Sequence, residues 1–342
     1  FRFAAALVGR FHGGLAQVTV VGSTVFGGVS GSAVAEASAL GSMLIPWQKR
    51  EGYPPAFAAA ATASSSVIAG LIPPSIPLIL FAAVSNASIA SLFLAGILPG
   101  FMLAAGMMLV CYFSGRFRGF PLLADAGTLR DILKATVSAL PALLMPAFIV
   151  VLLRMGIATP TEVSVIAVAY ALLVSVLIYR DLTVKRVYAA LLGTVITTGV
   201  VMLVIAASSL VGYVLITEAI PNAVAEYAQV VLQEPWLIIL AMNLIMLVIG
   251  MFLDLPAAIL LLGPTLVTVA GAIGMDPIQL GIMMAVNLSI GLFTPPIGTT
   301  LFISAAISRE PIGAIVRELW PFYLVAIVVL GLVSYVPAFT LY

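Results

Sequence analysis

The architecture of this chain follows from residues 28–84, GVSGSAVAEASALGSMLIPWQKREGYPPAFAAAATASSSVIAGLIPPSIPLILFAAV. The stretch begins where an apolar arm, Gly14 to Gly28, runs into a small polar tip at residues 29–32, and a second apolar arm follows. Fifteen residues span about 22 Å as a helix, whereas the hydrocarbon core of a bilayer is about 30 Å thick. We therefore predict a re-entrant hairpin that turns inside the membrane and leaves on the side from which it entered.

The second half of the stretch predicts an interrupted helix. Residues 53–84 are apolar, but Pro73, Pro74 and Pro77 remove amide donors and clash with the preceding turn. Backbone groups freed at membrane depth are tolerated only where they are buried in protein or line a cavity. The break therefore indicates a binding site.

The same pattern returns in residues 250–306. A constant shift of 222 residues aligns Gly28 with Gly250, Gly52 with Gly274, Pro55 with Pro277, Pro73 with Pro295, and Pro74 with Pro296. Interrupted helices at corresponding positions of two inverted halves indicate the substrate and ion site of a secondary transporter.

Composition assigns the class. The chain is 63% hydrophobic and 8% charged, with a mean hydropathy of +1.25, whereas soluble domains carry about 25% charged residues. It is predicted to be an all-α polytopic membrane protein. The net charge of +1 gives no basic surface for nucleic acid. One cysteine and one histidine exclude an internal disulfide and a histidine-based metal site.

Charge predicts the orientation of the spans. Residues 47–51, 116–134, 180–186 and 309–317 can be placed on one side, and 13 of the 14 Lys and Arg residues then fall there, with Arg2 and Arg10 included and Arg154 left out. The positive-inside rule makes this side the cytoplasm. The first hairpin then opens to the cytoplasm and the second to the opposite side, so the two repeats have inverted topology.

The predicted organisation has four parts. They are a first repeat, 1–113, with a hairpin at about 15–47, a broken helix at about 53–84 and a span at 91–113; an amphipathic cytoplasmic linker, 114–139; scaffold helices, 140–185; and a second inverted repeat, 186–342, with a hairpin at about 235–272, a broken helix at 277–306 and a last span at 310–336. Thr159-Pro160-Thr161-Glu162 predicts a helix start with a capping box, which makes Glu162 structural.

Several motifs resemble those of the large membrane (DctM-type) subunit of TRAP transporters, the tripartite ATP-independent periplasmic systems. They are SGSAVAEASALGSMLIP (30–46, starting from Ser30), SSSVIAGLIPPSIP (64–77), LFLAGILPG (92–100), GIATPTE (156–162), GMFLDLPAAILLLGP (250–264) and NLSIGLFTPPIGTTLF (287–302). The resemblance implies sodium-driven uptake of an organic acid across the bacterial inner membrane by an elevator-type movement. It also implies a small membrane subunit and a periplasmic substrate-binding protein as partners, with Na⁺ as coupling ion and no other cofactor.

The two breaks and hairpin tips supply the oxygen ligands that suit sodium. Candidate sodium ligands are Ser30, Gly31, Ser32, Ser65, Pro73, Ser75, Asp254, Asn287, Thr294 and Gly298; candidate substrate ligands are Ser32, Ser66, Thr294, Thr299 and Thr300. The half-helices that start after Ser75 and Gly298 direct their positive dipole ends at the same space, which favours a carboxylate. Small and hydroxyl residues in membrane helices also mediate close packing, so Ser64, Ser65 and Ser66 have that alternative role.

Two carboxylates at membrane depth have alternative roles. Asp254 lies at the second tip, where it either neutralises sodium or caps the helix that begins near Pro256. Glu36 follows Ser32 by one helical turn, so it either faces the site or pairs with Lys49 or the linker.

Three other functions are open to a chain of this kind. A sodium/carboxylate symporter that works without a binding protein is the nearest alternative, and a passive channel is another. An intramembrane hydrolase would have to use Glu36 with Asp254, or a serine for which the membrane segments offer no histidine or lysine base. The sequence therefore predicts a transporter and not an enzyme.

Overall fold

The computed structural model of the chain describes residues 2–122, 129–180 and 182–342, and these residues form helices and no strand. The helices are α1 (Arg2–Val8), α2 (Gly14–Ser30), α3 (Ala33–Arg50), α4 (Pro55–Ser65), α5 (Ile76–Ser85), α6 (Ile89–Arg118), α7 (Leu129–Arg154), α8 (Pro160–Leu173), α9 (Val184–Thr217), α10 (Ile220–Leu232), α11 (Pro235–Gly250), α12 (Leu255–Ala272), α13 (Pro277–Leu292), α14 (Thr299–Ser308) and α15 (Ile312–Tyr335). A π-helical segment, Val174–Tyr179, continues α8.

Six segments of the described chain are long and apolar enough to cross a bilayer. They are Ile89–Arg118, Leu133–Arg154, Pro160–Tyr179, Val184–Leu215, Leu255–Ala272 and Ile312–Tyr335. The prediction of an all-helical, polytopic membrane protein is confirmed. Five further apolar helices, α2, α5, α11, α13 and α14, have only 10–17 residues.

The first hairpin consists of α2 and α3. Helix α2 is terminated by its C-cap residue Gly31, whose φ of +61° lies in the left-handed region that glycine adopts without a steric cost. Ser32 then begins α3 as its N-cap and accepts a hydrogen bond from the amide of Ala35. Gln48 Nε2 donates to Thr19 Oγ1 across 2.8 Å. The turn therefore returns the chain alongside itself, and a buried polar contact joins the two arms.

Helices α4 and α5 are separated by a break. After α4 the chain narrows to a 3₁₀ segment, Ser66–Gly70, and α5 begins only at Ile76. Pro73 and Pro74 carry no amide hydrogen, so the helical ladder cannot continue through them. Ser75 caps the second part of the helix by accepting from the amide of Leu78.

The second half of the chain has a corresponding arrangement. Helices α11 and α12 are joined by residues 251–254, and α13 ends at Leu292 before α14 begins at Thr299. Pro295-Pro296 lies in this second gap. Both proline pairs are joined by cis peptide bonds.

The core of the molecule is built from the interrupted helices. Every residue from Gln279 to Leu292 of α13 is buried, and all residues from Phe57 to Pro73 are buried as well. In contrast, no described side chain of α9 is buried. Helices α7 and α8 are also largely exposed, so α7–α9 present apolar surface outwards, while the broken helices form the interior and the hairpins pack against them with one face buried.

The region between α6 and α8 was predicted as a linker followed by a scaffold helix. Residues 123–128 of the predicted linker lie outside the described residues, and residues 129–139 belong to α7. The predicted capping box at the start of α8 is confirmed. Thr159 Oγ1 accepts from the amide of Glu162 at 3.4 Å, and the Glu162 carboxylate accepts from the amide of Thr159 at 2.7 Å.

Candidate functional site

The tip of the first hairpin touches the break of α4–α5. A Cβ atom added to Gly31 would lie 2.3 Å from the carbonyl oxygen of Pro74, so only glycine fits there. The amide of Ile76 donates to the carbonyl of Gly31 across 3.4 Å. Ser30 and Ser32 flank this contact and are half-buried, and the amide of Ser32 donates to Ser30 Oγ at 3.2 Å. Tip and break therefore form one structural unit.

Hydroxyl groups at the first break donate to backbone carbonyls. Ser75 Oγ donates to the carbonyl of Gly70 at 2.6 Å, and Ser66 Oγ donates to the carbonyl of Ala63 at 3.0 Å. Because a hydroxyl has one hydrogen and two lone pairs, each of these groups keeps an oxygen that can accept. Pro73 is buried beside them. The arrangement provides oxygen ligands and not hydrogen-bond donors.

Ser65 is hydrogen-bonded to the first arm of the hairpin and not to its tip. Its hydroxyl accepts from Ser23 Oγ at 3.0 Å, and Ser23 lies on α2 about two helical turns before Ser30. Ser65 is therefore held by the first arm of the hairpin, whereas Ser75 belongs to the break itself.

Glu36 is completely buried, and Ser23 is the polar side chain beside it. Neither carboxyl oxygen of Glu36 has a hydrogen bond of good geometry. Lys49 does not pair with Glu36, because its Nζ donates to the carbonyl of Ser308 at the end of α14, 3.1 Å away. The alternative that paired Glu36 with Lys49 is wrong.

The second break is held by hydroxyls from two directions. Thr300 Oγ1 donates to the carbonyl of Leu292 at 2.9 Å, and Tyr323 on α15 donates to the carbonyl of Phe293 at 2.8 Å. Thr294 Oγ1 donates to the carbonyl of Ile290 at 2.6 Å. The buried Oγ1 of Thr299 has no hydrogen-bond partner. A free hydroxyl thus lies in the first turn of α14.

Gly298 gives this break its tight turn. A Cβ atom there would lie 2.8 Å from the carbonyl oxygen of Thr294 and 3.1 Å from that of Leu292. Two backbone carbonyls therefore point at the same small volume next to the start of α14.

The two breaks meet in the middle of the molecule. Thr300 Oγ1 also donates to the carbonyl of Ala63, on α4 of the first half, across 3.1 Å. A Cβ atom on Gly70 would lie 3.1 Å from Ser289 Oγ on α13, and this buried Ser289 hydroxyl has no partner. The structure therefore brings the residues of the first break against those of the second.

The second hairpin contacts α13 through two glycines, at a distance that leaves no room for a side chain on Gly291. A Cβ atom on Gly291 would lie 2.2 Å from the carbonyl oxygen of Gly250, at the end of α11. Asp254, further along the tip, is exposed. Asp254 does occupy the N-cap position of α12, and its backbone carbonyl accepts from the amide of Ala258, but its side chain makes no capping hydrogen bond.

Asn287 is fully buried, and only one of its two side-chain polar atoms has a hydrogen-bond partner. Its Nδ2 donates to the backbone carbonyl of Asn243 at 3.0 Å and to Asn243 Oδ1 at 2.8 Å, whereas its own Oδ1 has no partner. Asn243 on α11 was not among the residues expected from the sequence. Its signal was available, because it is the one polar side chain in PWLIILAMNLIMLVIG and polar residues in membrane helices bind one another or a ligand. Ser23 and Tyr323 were missed in the same way.

Cation binding at these positions would depend on carbonyl, amide and hydroxyl oxygens. In the described ranges, 2–122, 129–180 and 182–342, there is no group of three His, Cys, Asp or Glu residues that could hold a metal ion. Sites of this composition suit a weakly bound monovalent ion better than a transition metal.

Comparison with known proteins gives a consistent result. Residues 1–339 match the family model described as "Tripartite ATP-independent periplasmic transporter, DctM component". The chain is 37% identical over 339 residues to the C4-dicarboxylate TRAP transporter large permease protein DctM of Pseudomonas aeruginosa, covering 99% of this chain and 78% of that protein. It is 37% identical over 341 residues to the sialic acid TRAP transporter large permease protein SiaM of Vibrio cholerae, covering 100% and 80%. An uncharacterized protein of Sinorhizobium fredii, y4mL, is 53% identical over 333 residues, covering 97% and 80%.

Proposed function

This chain belongs to the DctM component family of tripartite ATP-independent periplasmic (TRAP) transporters, and we propose that it couples the uptake of an organic acid to the entry of sodium. It is a large permease subunit of the bacterial inner membrane and not an enzyme. A small membrane subunit and a periplasmic substrate-binding protein complete the proposed system. The substrate class is a carboxylate such as a C4-dicarboxylate or a sialic acid, by analogy with the relatives that carry those names.

One observation carries the proposal: two interrupted helices meet at their breaks, and each break offers carbonyl and hydroxyl oxygen atoms. The hydroxyl of Thr300 bridges the two halves, because its single hydrogen is within reach of the carbonyls of both Leu292 and Ala63. Interrupted helices that meet at the membrane midplane are typical of ion-coupled transporters, in which unwound carbonyls coordinate sodium. In this proposal the free hydroxyl of Thr299, at the N-terminus of α14, donates to a substrate carboxylate.

Similar contacts in the two halves support two repeats, and the distribution of Lys and Arg in the sequence supports their inverted topology. The shift of 222 residues relates Gly70 to Leu292, and both carbonyls accept from a hydroxyl, of Ser75 and Thr300 respectively. It also relates Ala69 to Gly291. A Cβ atom on Gly27 would lie 2.9 Å from Ala69 Cα, while Gly291 packs against Gly250 in the same way.

The distribution of burial supports an elevator-type movement. In such a movement the hairpins and broken helices travel as one body against a static scaffold. The interior position of α4, α5, α13 and α14 fits the moving body, and the exposed apolar surface of α7–α9 fits a scaffold that contacts lipid and the small subunit.

The test is uptake of labelled organic acids by liposomes that contain this subunit, its small subunit and its binding protein, with and without an inward sodium gradient. We expect uptake to require both the gradient and the binding protein. Thr294→Val should lower uptake, and Thr268→Val is the matched control, because Thr268 Oγ1 donates to the carbonyl of Pro264 in the same local manner but lies on α12, away from the breaks.

Each other outcome points elsewhere. Sodium-dependent uptake without the binding protein would identify a stand-alone sodium/carboxylate symporter. If uptake does not depend on sodium, and the Thr294→Val variant transports at the wild-type rate, the proposed coupling at the breaks is refuted.

A further inference from the structure

The second hairpin and the last helix are joined to α13 by a buried amide network. Asn243 Nδ2 donates to the carbonyl of Ile239 at 3.1 Å and to Ser334 Oγ on α15 at 3.0 Å, while Asn243 Oδ1 accepts from Asn287 at 2.8 Å. Every polar atom of the Asn243 side chain is thereby used. Both side-chain polar atoms of Asn243 are bound to neighbouring helices, so we interpret Asn243 as a residue that holds its neighbours in place.

The network fixes the orientation of the Asn287 amide. Both hydrogens of Asn287 Nδ2 are aimed at oxygen atoms of Asn243, one on the backbone and one on the side chain. Flipping the amide would place Asn287 Oδ1 against the backbone carbonyl of Asn243, which cannot donate. The carbonyl oxygen of Asn287 is therefore forced to the opposite side.

The side-chain carbonyl oxygen of Asn287 is the one polar side-chain atom of this network that lacks a hydrogen-bond partner. Asn287 is 0% exposed, and its Oδ1 has no hydrogen-bond partner. Residues four apart lie on the same helix face, so Asn287 lies one turn before Gly291, on the face of α13 that meets Gly250 of the second hairpin. A buried acceptor with both lone pairs free, beside a helix break, requires a donor or a cation.

The first half contains a related contact. The shift of 222 residues relates Ser65 to Asn287, and Ser65 accepts a hydrogen bond from Ser23 on the first arm of its own hairpin. In both halves a polar residue of the first hairpin arm thus contacts a polar residue eight positions before the proline pair.

We propose that Asn243 is a positioning residue, which orients Asn287 so that its carbonyl oxygen binds the sodium ion at the second break. Asn243 sets the sodium affinity of that site without being a ligand itself. The inference rests on the proposed sodium coupling and extends it to a residue outside both breaks.

The experiment compares Asn243→Leu with wild type in the assembled system. The sodium midpoint, the sodium concentration that gives half of the maximal effect, is measured in two ways. The first is sodium-dependent uptake in liposomes, and the second is the rise of the unfolding temperature of the purified subunit as NaCl is added. Choline chloride is the ionic-strength control. We expect the sodium midpoint to rise about tenfold in both measurements, with the maximal uptake at saturating sodium largely retained.

Gln279→Leu is the matched control. Gln279 Nε2 donates to the carbonyls of Val333 and Ser334, at 3.2 and 3.0 Å, so this variant also removes two buried hydrogen bonds between α13 and α15. It leaves the contact of Asn243 with Asn287 intact. We expect Gln279→Leu to lower the unfolding temperature and leave the sodium midpoint unchanged.

Asn243→Asp provides a second reading if the leucine variant does not fold. A buried carboxyl favours its neutral form, in which it keeps an oxygen acceptor for Asn287 and one donor for Ser334, so the sodium midpoint of this variant should stay within about threefold of wild type. If Asn243→Leu and Gln279→Leu shift the midpoint equally, or if Asn243→Leu leaves it unchanged, the positioning role is refuted while sodium coupling stands. A wild-type protein without any sodium response would instead refute the proposed function.

Discussion

Replacing Gly31 by alanine tests whether the contact between the first tip and the first break is needed for transport. The added Cβ would lie 2.3 Å from the carbonyl oxygen of Pro74. An ordinary contact is about 3.4 Å, so tip and break would have to separate by about 1 Å. A change of this size moves Ser30 and Ser32 relative to the oxygen atoms of the break.

The cost has two parts that can be separated. Alanine at a φ of +61° costs roughly 1–2 kcal/mol, and forcing an extra carbon into a packed contact costs about 1–3 kcal/mol. Gly119 is the control, because its φ is +66° and a Cβ atom there would have nothing within 4 Å. Gly119→Ala therefore carries the backbone cost alone, and the difference between the two variants measures the contact.

The assay combines thermal unfolding of the purified subunit with sodium-dependent uptake in liposomes. We expect Gly31→Ala to be less stable than Gly119→Ala by about 1–3 kcal/mol and to lose most uptake, whereas Gly119→Ala should transport at nearly the wild-type rate. Equal stability and equal uptake of the two variants would show that the tip does not need its contact with Pro74.

Three further predictions concern the second break and the buried carboxyl. Gly291→Ala should destabilise the subunit by about 1–3 kcal/mol and reduce uptake, because its Cβ would lie 2.2 Å from the Gly250 carbonyl; Gly331→Ala, with nothing within 4 Å, should do neither. Thr300→Val should lower stability by about 1–3 kcal/mol, since the one hydrogen that the Thr300 hydroxyl offers to the buried carbonyls of Leu292 and Ala63 is lost, whereas Thr194→Val on the exposed face of α9 should stay near wild type in thermal unfolding. Glu36→Gln should leave the unfolding temperature unchanged or raise it, because no ion pair is lost, and a clear drop would reveal a partner for this carboxyl.

The parts of the structure that were predictable depend on short stretches of chain. Helices stop at Pro73-Pro74 and Pro295-Pro296 because proline lacks an amide hydrogen whatever surrounds it. The capping box of Thr159 and Glu162 likewise needs only four consecutive residues. Such features can be identified from sequence because the physics is local.

The contacts that complete the candidate site are not local. Thr300 reaches Ala63 across 237 positions of sequence, and Asn243 meets Asn287 across 44. Which of several hydroxyls and amides meet depends on how helices cross, and a single sequence does not encode that in any short pattern. For this reason Asn243 and Tyr323 were missed, although each is a polar residue in an apolar helix.

The bond between Thr300 and Ala63 also bears on how the protein is made. A ribosome that adds about 5–20 residues per second needs roughly 10–50 s to synthesise the 237 residues between them. During that interval the first break must wait in the membrane without the hydroxyl that will contact it. The first break therefore enters the membrane without this partner in every round of synthesis, and we expect the rate of translation through α5–α13 to affect the yield of folded protein.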